Sequence, residues 1–408
     1  MQLTLGERLG AALKTLPALP DAVAVSGGGD SLALLHLLHD LGHQPAVVTV
    51  DHGLRPGSAA EARAVADAAA ALGLPHTTLT WQGWDGSGNL QDHARRARRD
   101  LVSRWAVSRG LQAVALGHTR DDQAETVLMR LARGAGVDGL SAMRPATRAQ
   151  GVLWLRPLLD VGREELRLYL RQRGVVWSED PSNENLRFDR VRMRKAMEML
   201  APLGITAHGL AATAARMAEA REALDAAVDA AAAQVTVEHG DLVIERAAFF
   251  RLPSEIRRRL LVRMLHWIVP SAYPPRSRSL DMALGAVAGS RRHTIHGCLL
   301  SAGRSLRVGR EPASVAGLSC PVNEVWDGRW RLSGPAVPGH EIRALGETGL
   351  RQLPERSGEG QPRSRLLASP AVWAGDRLVA APLAGFNPAW RAELARGCDH
   401  HDRWPLSD

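Results

Sequence analysis

Lysine is almost missing from this chain. Among its 51 Lys and Arg residues, only Lys14 and Lys195 are lysines, so the net charge of +8 is carried almost wholly by guanidinium groups. Arginine suits bidentate phosphate contacts and base stacking. The excess of positive charge fits RNA or another polyanion as partner, although a genome that inflates Arg and Ala together would give the same bias. Cysteine is scarce as well. Cys298, Cys320 and Cys398 lie far apart and form no C-x-x-C pair. That excludes a disulfide framework and a structural zinc site, and it fits a reducing compartment. No apolar run approaches the roughly 18 residues of a membrane span. Residues 1–16 have no signal-peptide apolar core. The expectation is a soluble cytoplasmic protein with no membrane partner.

What is present begins with Ser26-Gly27-Gly28-Gly29-Asp30-Ser31. It follows the apolar run 22–25 and opens a helical pattern over 32–41. Strand, glycine turn and helix together present backbone N–H groups and a helix N-terminus to a phosphate. The glycines allow close backbone approach, and the two serines add hydroxyl donors. The loop has no Walker lysine, lacks the G-x-x-x-x-G-K-[ST] spacing and is not G-x-G-x-x-G. An ordinary glycine turn ahead of a helix is the alternative reading of this stretch alone.

A length of 408 residues with 45% hydrophobic content predicts two or three domains with sizeable cores. In the first half, predicted strands cover 22–25, 46–50, 77–81, 113–116 and 153–155. Predicted helices cover 32–41, 59–72, 90–108, 122–132 and 163–173. This rhythm argues for an α/β fold with an open, mostly parallel Rossmann-like sheet, whose ligands bind at strand carboxyl ends. A basic helix is expected over 187–200 and a long Ala-rich helix over 210–234. Beyond them the pattern becomes α+β, with a hairpin over 235–246, a helix over 257–268 and two strands over 294–308. Short strands then fill 329–381, and 391–408 reads as a loose tail. The expected division is a catalytic domain over 1–205, a linker helix over 206–235, a first C-terminal domain over 236–313, a second over 320–390 and a tail over 391–408. Cys398, His400 and His401 suggest a mobile polar end rather than a metal site.

Two further constellations carry chemistry. The second strand ends in Val50-Asp51-His52-Gly53-Leu54-Arg55, where Asp51 and His52 could meet adenine or ribose. The stronger one is Gly117-His118-Thr119-Arg120-Asp121-Asp122-Gln123-Ala124-Glu125-Thr126, which follows a strand and opens a helix. Acids at a helix N-terminus complement its dipole. That accounts for Asp121 and Asp122 but not for His118 before them. Carboxylates near a triphosphate make sense as Mg²⁺ ligands or as a clamp on an incoming ammonium group. A glycine-punctuated loop, Arg133 to Met143, comes next.

The Ser26–Ser31 loop resembles the pyrophosphate loop of the ATP-pyrophosphatase (PP-loop) superfamily. The whole set resembles the tRNA(Ile)-lysidine synthetase family. Its pieces stand in the family's order: Ser26 to Ser31, Val50 to Leu54, Asn89-Leu90-Gln91 with Ala94-Arg95, His118 to Thr126, and Arg133 to Met143. After them come Arg156-Pro157-Leu158-Leu159 and Glu179-Asp180-Pro181-Ser182-Asn183, followed by Arg190 to Arg194. Pro274-Pro275-Arg276, Thr294 to Cys298 and Arg310-Glu311-Pro312-Ala313 resemble the first C-terminal domain. Val372-Trp373-Ala374-Gly375-Asp376, with Val379 to Pro382, resembles the end of the second, which matches more loosely. There are departures: Arg99 and Phe188 stand where the family usually has tyrosine, and Val191 where asparagine is common.

The resemblance implies a ligase of tRNA processing. ATP adenylates the C2 oxygen of the wobble cytidine in a CAU-anticodon tRNA(Ile), and the ε-amine of L-lysine then displaces AMP, which changes codon reading from AUG to AUA. ATP and Mg²⁺ are the expected cofactors. The expected ATP contacts are Ser26, Gly27, Gly28, Gly29, Asp30, Ser31, Asp51 and His52, with Asp30 the first choice for Mg²⁺. Asp30, His118, Asp121, Asp122 and Glu125 are the expected catalytic set. Arg95, Arg98, Arg133, Arg190, Arg192, Arg194, Arg257 and Arg276 are candidates for tRNA. The oligomeric state is open, a homodimer being compatible. Two rival readings are another PP-loop tRNA-modifying enzyme such as a thiolase, and a non-catalytic ATP-gated RNA-binding module. A thiolase would want cysteines in the catalytic half, and residues 1–297 contain none.

Overall fold

The computed structural model describes residues 3–53, 57–81, 90–178, 189–270, 275–355 and 357–395. Within the resembling motifs, Leu54, Asn89, 179–183 and Pro274 lie outside the described residues, as do Phe188, Cys398, His400 and His401. The chain forms two compact units, Met1–Glu222 and Ala223–Ser407.

The first unit runs α1 (Leu5–Thr15), β1 (Ala22–Ala24), α2 (Gly29–Asp40), β2 (Ala46–Asp51), α3 (Ser58–Ala71), β3 (His76–Thr80), α4 (Leu90–Ser108), β4 (Ala113–Leu116) and α5 (Arg120–Leu131). It continues through α6 (Val137–Leu140), β5 (Ala146–Ala149), β6 (Val152–Leu155), α7 (Arg163–Gln172), α8 (Asp189–Leu200) and the long α9 (Ala207–Ala232), which crosses into the second unit. The six strands form one sheet in the order β3-β2-β1-β4-β6-β5. All neighbours are parallel except the edge pair β5–β6.

The inner strands β1, β2, β4 and β6 form because they are apolar runs bounded by turns, and they are largely buried, whereas the edge strands β3 and β5 are more polar and partly exposed. On one face, Val23, Val47 and Ala115 pack with Leu34, Leu38, Val65, Leu166 and Leu170 from the helices. On the other, Val48, Val114 and Trp154 pack with Val102, Trp105 and Ala106 of α4. The strand order reverses between β1 and β4: β2 and β3 lie to one side of β1, while β4, β6 and β5 lie to the other. The two motif-bearing loops follow these two strands. They therefore share the crevice in which such sheets bind ligands.

The first unit differs from the sequence expectation at its edges. Helix α1 was not anticipated, yet Thr4 and Glu7 form a capping box at its start. Helix α5 starts at Arg120 rather than 122, because Thr119 caps it through the Asp122 backbone N–H.

The second unit holds β7 (Thr236–Glu238), β8 (Asp241–Glu245), α10 (Arg246–Arg251), α11 (Ser254–Ile268), α12 (Ser277–Ala288), β9 (His293–Ile295), β10 (Cys298–Ala302) and β11 (Ser305–Arg310). Next come α13 (Pro312–Val315), β12 (Ser319–Pro321), β13 (Trp330–Ser333), β14 (His340–Ala344), α14 (Gly346–Gln352), α15 (Arg363–Leu367), β15 (Pro370–Ala374), β16 (Arg377–Ala380) and β17 (Arg391–Leu394). Strands β7 to β11 make a five-stranded antiparallel sheet over a core that includes Phe249, Leu260, Met264 and Cys298. The later strands form a four-stranded sheet and the pair β13–β17 around Trp326, Trp330 and Trp390.

The segment 294–308, expected as two strands, takes part in three. Residues 391–394, expected to begin a loose tail, are a strand, because Arg391–Leu394 pairs with Trp330–Ser333.

Candidate functional site

The phosphate loop is shaped by its own residues. Gly27 has φ +84, which only glycine adopts without strain. Gly28 is the N-cap of α2. The Ser31 hydroxyl donates to the Gly28 carbonyl at 2.9 Å and accepts from the Ser26 N–H at 3.2 Å, closing the turn. The strap after α7 braces the loop from outside. Ser178 N–H donates to Gly27 O at 3.0 Å, and its hydroxyl donates to Glu61 at 2.9 Å. The free N–H groups at the start of α2 are thereby presented at the crevice.

Helix α5 supplies the acids. Asp122 is buried and serves two masters. One oxygen, Oδ2, closes the capping box, accepting from the Thr119 N–H at 2.8 Å and its hydroxyl at 3.0 Å. The other, Oδ1, faces Arg163 at 3.4 Å and Arg190 at 3.6 Å. Glu125, one turn on, is 2% exposed. Its Oε1 accepts from Arg194 at 3.0 Å and meets Arg163 at 3.5 Å, while its Oε2 is buried without a hydrogen-bond partner among the described residues. Asp30, in the phosphate loop, accepts from Arg163 Nε at 3.1 Å. Asp121 stands apart from this set: its Oδ2 accepts the backbone N–H of Arg163 at 2.8 Å, so it anchors the start of α7.

Arg163 thus joins Asp30, Asp122 and Glu125 around one guanidinium, and sequence reasoning missed it. Burial opposes its charge, but the three carboxylates outweigh burial and raise its pKa. Burial raises the pKa of Asp30, with Arg163 pulling against it. For Asp122, burial pushes the pKa up but loses to Arg163, His118 and the Thr119 N–H, so the net direction is down.

His118 lies two residues past the end of β4, where Asp122, Arg156, Arg190 and Arg95 act on it. Burial, aided by Arg156, Arg190 and Arg95 against the attraction of Asp122, pushes its pKa down to about 4. It is a neutral imidazole at pH 7, and its buried Nδ1 has no hydrogen-bond partner among the described residues.

The other expected residues are distributed as follows. Asp51 accepts the Gly53 N–H at 2.9 Å. The Ser58 hydroxyl and that N–H hold its carboxyl below the usual range. Arg98 reaches from α4 to His52 Nε2, 2.8 Å from its Nη2. Arg95 and Arg98 share α4. Arg99 lies over Trp154, 5.8 Å from the ring centroid.

Of the alternating arginines on α8, Arg190 and Arg194 turn toward the α5 acids. Arg192 pairs with Asp189, as does Arg133 at 3.3 Å. In the second unit Arg257 lies over Phe250, 5.1 Å from the centroid, and Arg276 is exposed at the start of α12.

Among the described residues no group of three or more His, Cys, Asp or Glu could hold a metal by itself. Nor is any helix long and apolar enough to cross a membrane. The arrangement suits three tasks: binding phosphate at a glycine loop, holding a cation against Asp122 and Glu125, and offering a neutral imidazole near Asp122.

A family model described as a PP-loop domain matches residues 1–200. The chain is 51% identical over 381 residues to the tRNA(Ile)-lysidine synthase of Ruegeria pomeroyi, covering 92% of this chain and 91% of that one. It is 45% identical over 271 residues to the enzyme of the same name from Rhodopseudomonas palustris, covering 64% and 78%. Among solved structures, the U34-tRNA thiolase NcsA of Methanococcus maripaludis is similar with a TM-score of 0.43 and 19% identity, over 52% of this chain and 76% of that one.

Proposed function

The chain belongs to the tRNA(Ile)-lysidine synthase family, and from that premise we propose that the crevice between β1 and β4 performs both halves of the reaction. The protein is an ATP-dependent ligase whose substrates are tRNA(Ile) and lysine. The observation that carries the assignment is the convergence of Asp30, Asp122 and Glu125 on Arg163, which brings the phosphate loop and the acidic helix to one point.

In this reading the triphosphate lies on residues 26–31, with its β- and γ-phosphates facing the N–H groups at the start of α2. Attack by the cytidine C2 oxygen on the α-phosphate forms the P–O bond of an adenylate and releases pyrophosphate. Asp30 is the residue that would hold Mg²⁺ together with phosphate oxygens. Its Oδ1 has no protein partner among the described residues, and Mg²⁺ is commonly held by one or two carboxylates plus phosphates. Bound there, the ion would neutralise charge developing on the pyrophosphate.

The second half needs an amine nucleophile. We assign the lysine ε-ammonium group to Asp122 and Glu125. It must lose a proton before it attacks C2, and the unpartnered Glu125 Oε2 is placed to receive one. The amine nitrogen then bonds to C2, and the C2–O bond breaks with AMP as leaving group. His118, neutral at working pH, hydrogen-bonds the activated base or the α-phosphate. Asp51 and His52, at the end of β2, contact the nucleoside.

We assign residues 1–205 to catalysis and 236–313 with 320–390 to reading the tRNA, with Arg95, Arg98, Arg133, Arg192, Arg257 and Arg276 as candidate tRNA contacts. A cytoplasmic location accompanies a ligase that needs tRNA and ATP. The test is incorporation of radiolabelled lysine by the purified protein into tRNA(Ile) transcripts. ATP-dependent labelling of the CAU transcript, and none when its wobble cytidine is replaced by uridine, is expected. No labelling, or equal labelling of both, would overturn the reading.

A further inference from the structure

The carboxylates assigned to the lysine amine already hold a cation. Arg163 sits on the first turn of α7, where a positive side chain opposes the helix dipole. Its place is thus not explained by the helix it starts. The side chain is 14% exposed and its three nitrogens are divided among three acids on two elements. Nε reaches Asp30 of the phosphate loop at 3.1 Å, Nη2 reaches Asp122 at 3.4 Å, and Nη1 reaches Glu125 at 3.5 Å. Only the first has ordinary hydrogen-bond length, and the other two are long for charge-assisted pairs.

Within the ion pairs of the described residues the charges balance. Asp30, Asp122 and Glu125 face Arg163, Arg190 and Arg194. A further ammonium group would enter a cluster already neutralised, and it would lose hydration with little net negative charge to receive it. One atom departs from the balance: among the described residues the buried Glu125 Oε2 has no hydrogen-bond partner, so the acid pair is arranged to accept more than the arginines give it. A triphosphate on the loop would shift the balance by adding several negative charges beside Asp30. A planar guanidinium is suited to phosphate oxygens, and Arg163 is tethered to that loop by its shortest contact.

We propose that Arg163 is an exchangeable counter-ion that makes lysine binding depend on nucleotide: it fills the amine's seat at Asp122 and Glu125 until a triphosphate on the phosphate loop draws the guanidinium away. This rests on the assignment of those two acids to the lysine amine. Arg163 is then a positioning residue, acting through the carboxylates. Lysine enters after ATP, and by linkage lysine tightens nucleotide binding by the factor with which nucleotide tightens lysine.

Equilibrium dialysis of radiolabelled lysine against the full-length protein, with and without α,β-methylene-ATP and Mg²⁺, tests this. Wild type should bind lysine about tenfold or more tightly with the analogue, within the usual range of coupling between sites. In Arg163→Gln the nucleotide-free protein should bind lysine as well as the analogue-bound protein does. Arg163→Lys keeps one charge but cannot span three acids, and it should lose most of the dependence too. Equal lysine affinity of wild type in both states, undetectable binding included, would overturn the proposal, and so would full dependence in either variant. Asp122→Asn and Glu125→Gln separate the two levels: unaltered lysine binding in both would remove the seat itself, whereas weakened binding with no nucleotide dependence in wild type would remove only the gating.

Discussion

Gly117 and Ser31 meet backbone to backbone. A Cβ on Gly117 would stand 2.9 Å from both the Cα and the nitrogen of Ser31, and 3.0 Å from the carbonyl carbon of Asp30. The loop that carries His118 is thereby seated directly on the loop that carries the phosphate site.

Gly117→Ala therefore pushes backbone against backbone, which has no side chain to yield. Overpacking of this kind costs about 1–3 kcal/mol. The expected outcome is a lower Tm together with weaker ATP binding, measured by thermal unfolding and nucleotide titration. An unchanged ATP affinity in the folded variant would mean that the two loops move independently.

His118 should make the protein acid-sensitive. Its pKa is near 6.5 unfolded and about 4 folded. Between those values the unfolded chain binds a proton that the folded one does not, so stability rises with pH through the window and is lost as pH falls. His118→Gln should flatten that part of the urea-midpoint profile against pH. A profile with the same slope as wild type would show that His118 titrates normally.

The cysteines should be dispensable. Cys298 is fully buried in the five-stranded sheet's core, and burial pushes its thiol up to about 12. Such a thiol is inert at neutral pH. Replacing Cys298, Cys320 and Cys398 together by Ala should leave lysine transfer intact in the folded fraction. Loss of activity in a demonstrably folded triple variant would favour a thiolase-type chemistry instead.

The arginines of the second unit should divide by their partners. Arg259 is held by Glu255 at 2.9 Å and Asp225 at 3.2 Å, whereas Arg276 is exposed. Arg276→Ala should weaken tRNA binding and reduce the slope of log K against log salt by about 1, the release expected of one phosphate contact. Arg259→Ala should lower Tm and leave the slope alone. The reverse pattern in a salt series would move the RNA surface elsewhere.

The inner strands β1, β2, β4 and β6 are legible because they are apolar runs closed by turns, whereas β5, Ala146–Ala149 with Thr147 and Arg148 at its centre, is not among the expected strands. The phosphate loop is legible too, because its glycines and serines stand between an apolar run and a helical pattern. Helix α1 was marked by Thr4 and Glu7 and could have been found from that spacing. Arg163 could not be found by the same means. In Arg163-Glu164-Glu165-Leu166 it reads as a solvated charge, and only the strand order brings α7's first turn beside Asp122 and Glu125. The one local sign was a positive residue at the wrong end of a helix dipole. The alternation of Arg190, Arg192 and Arg194 likewise shows basic residues suited to tRNA, but not that Arg190 and Arg194 meet the acids of α5.

The central claim is that one crevice holds two functions, with Asp30 serving the triphosphate and Glu125 serving the amine. The direct measurement is tRNA-dependent ATP–pyrophosphate exchange run beside lysine transfer, in wild type, Asp30→Asn and Glu125→Gln. Asp30→Asn should lose both activities. Glu125→Gln should keep exchange within a few-fold of wild type and lose about a hundredfold or more in transfer, the scale of a missing general base. Loss of exchange in Glu125→Gln to the same degree as transfer, or retained exchange in Asp30→Asn, would contradict the division of labour.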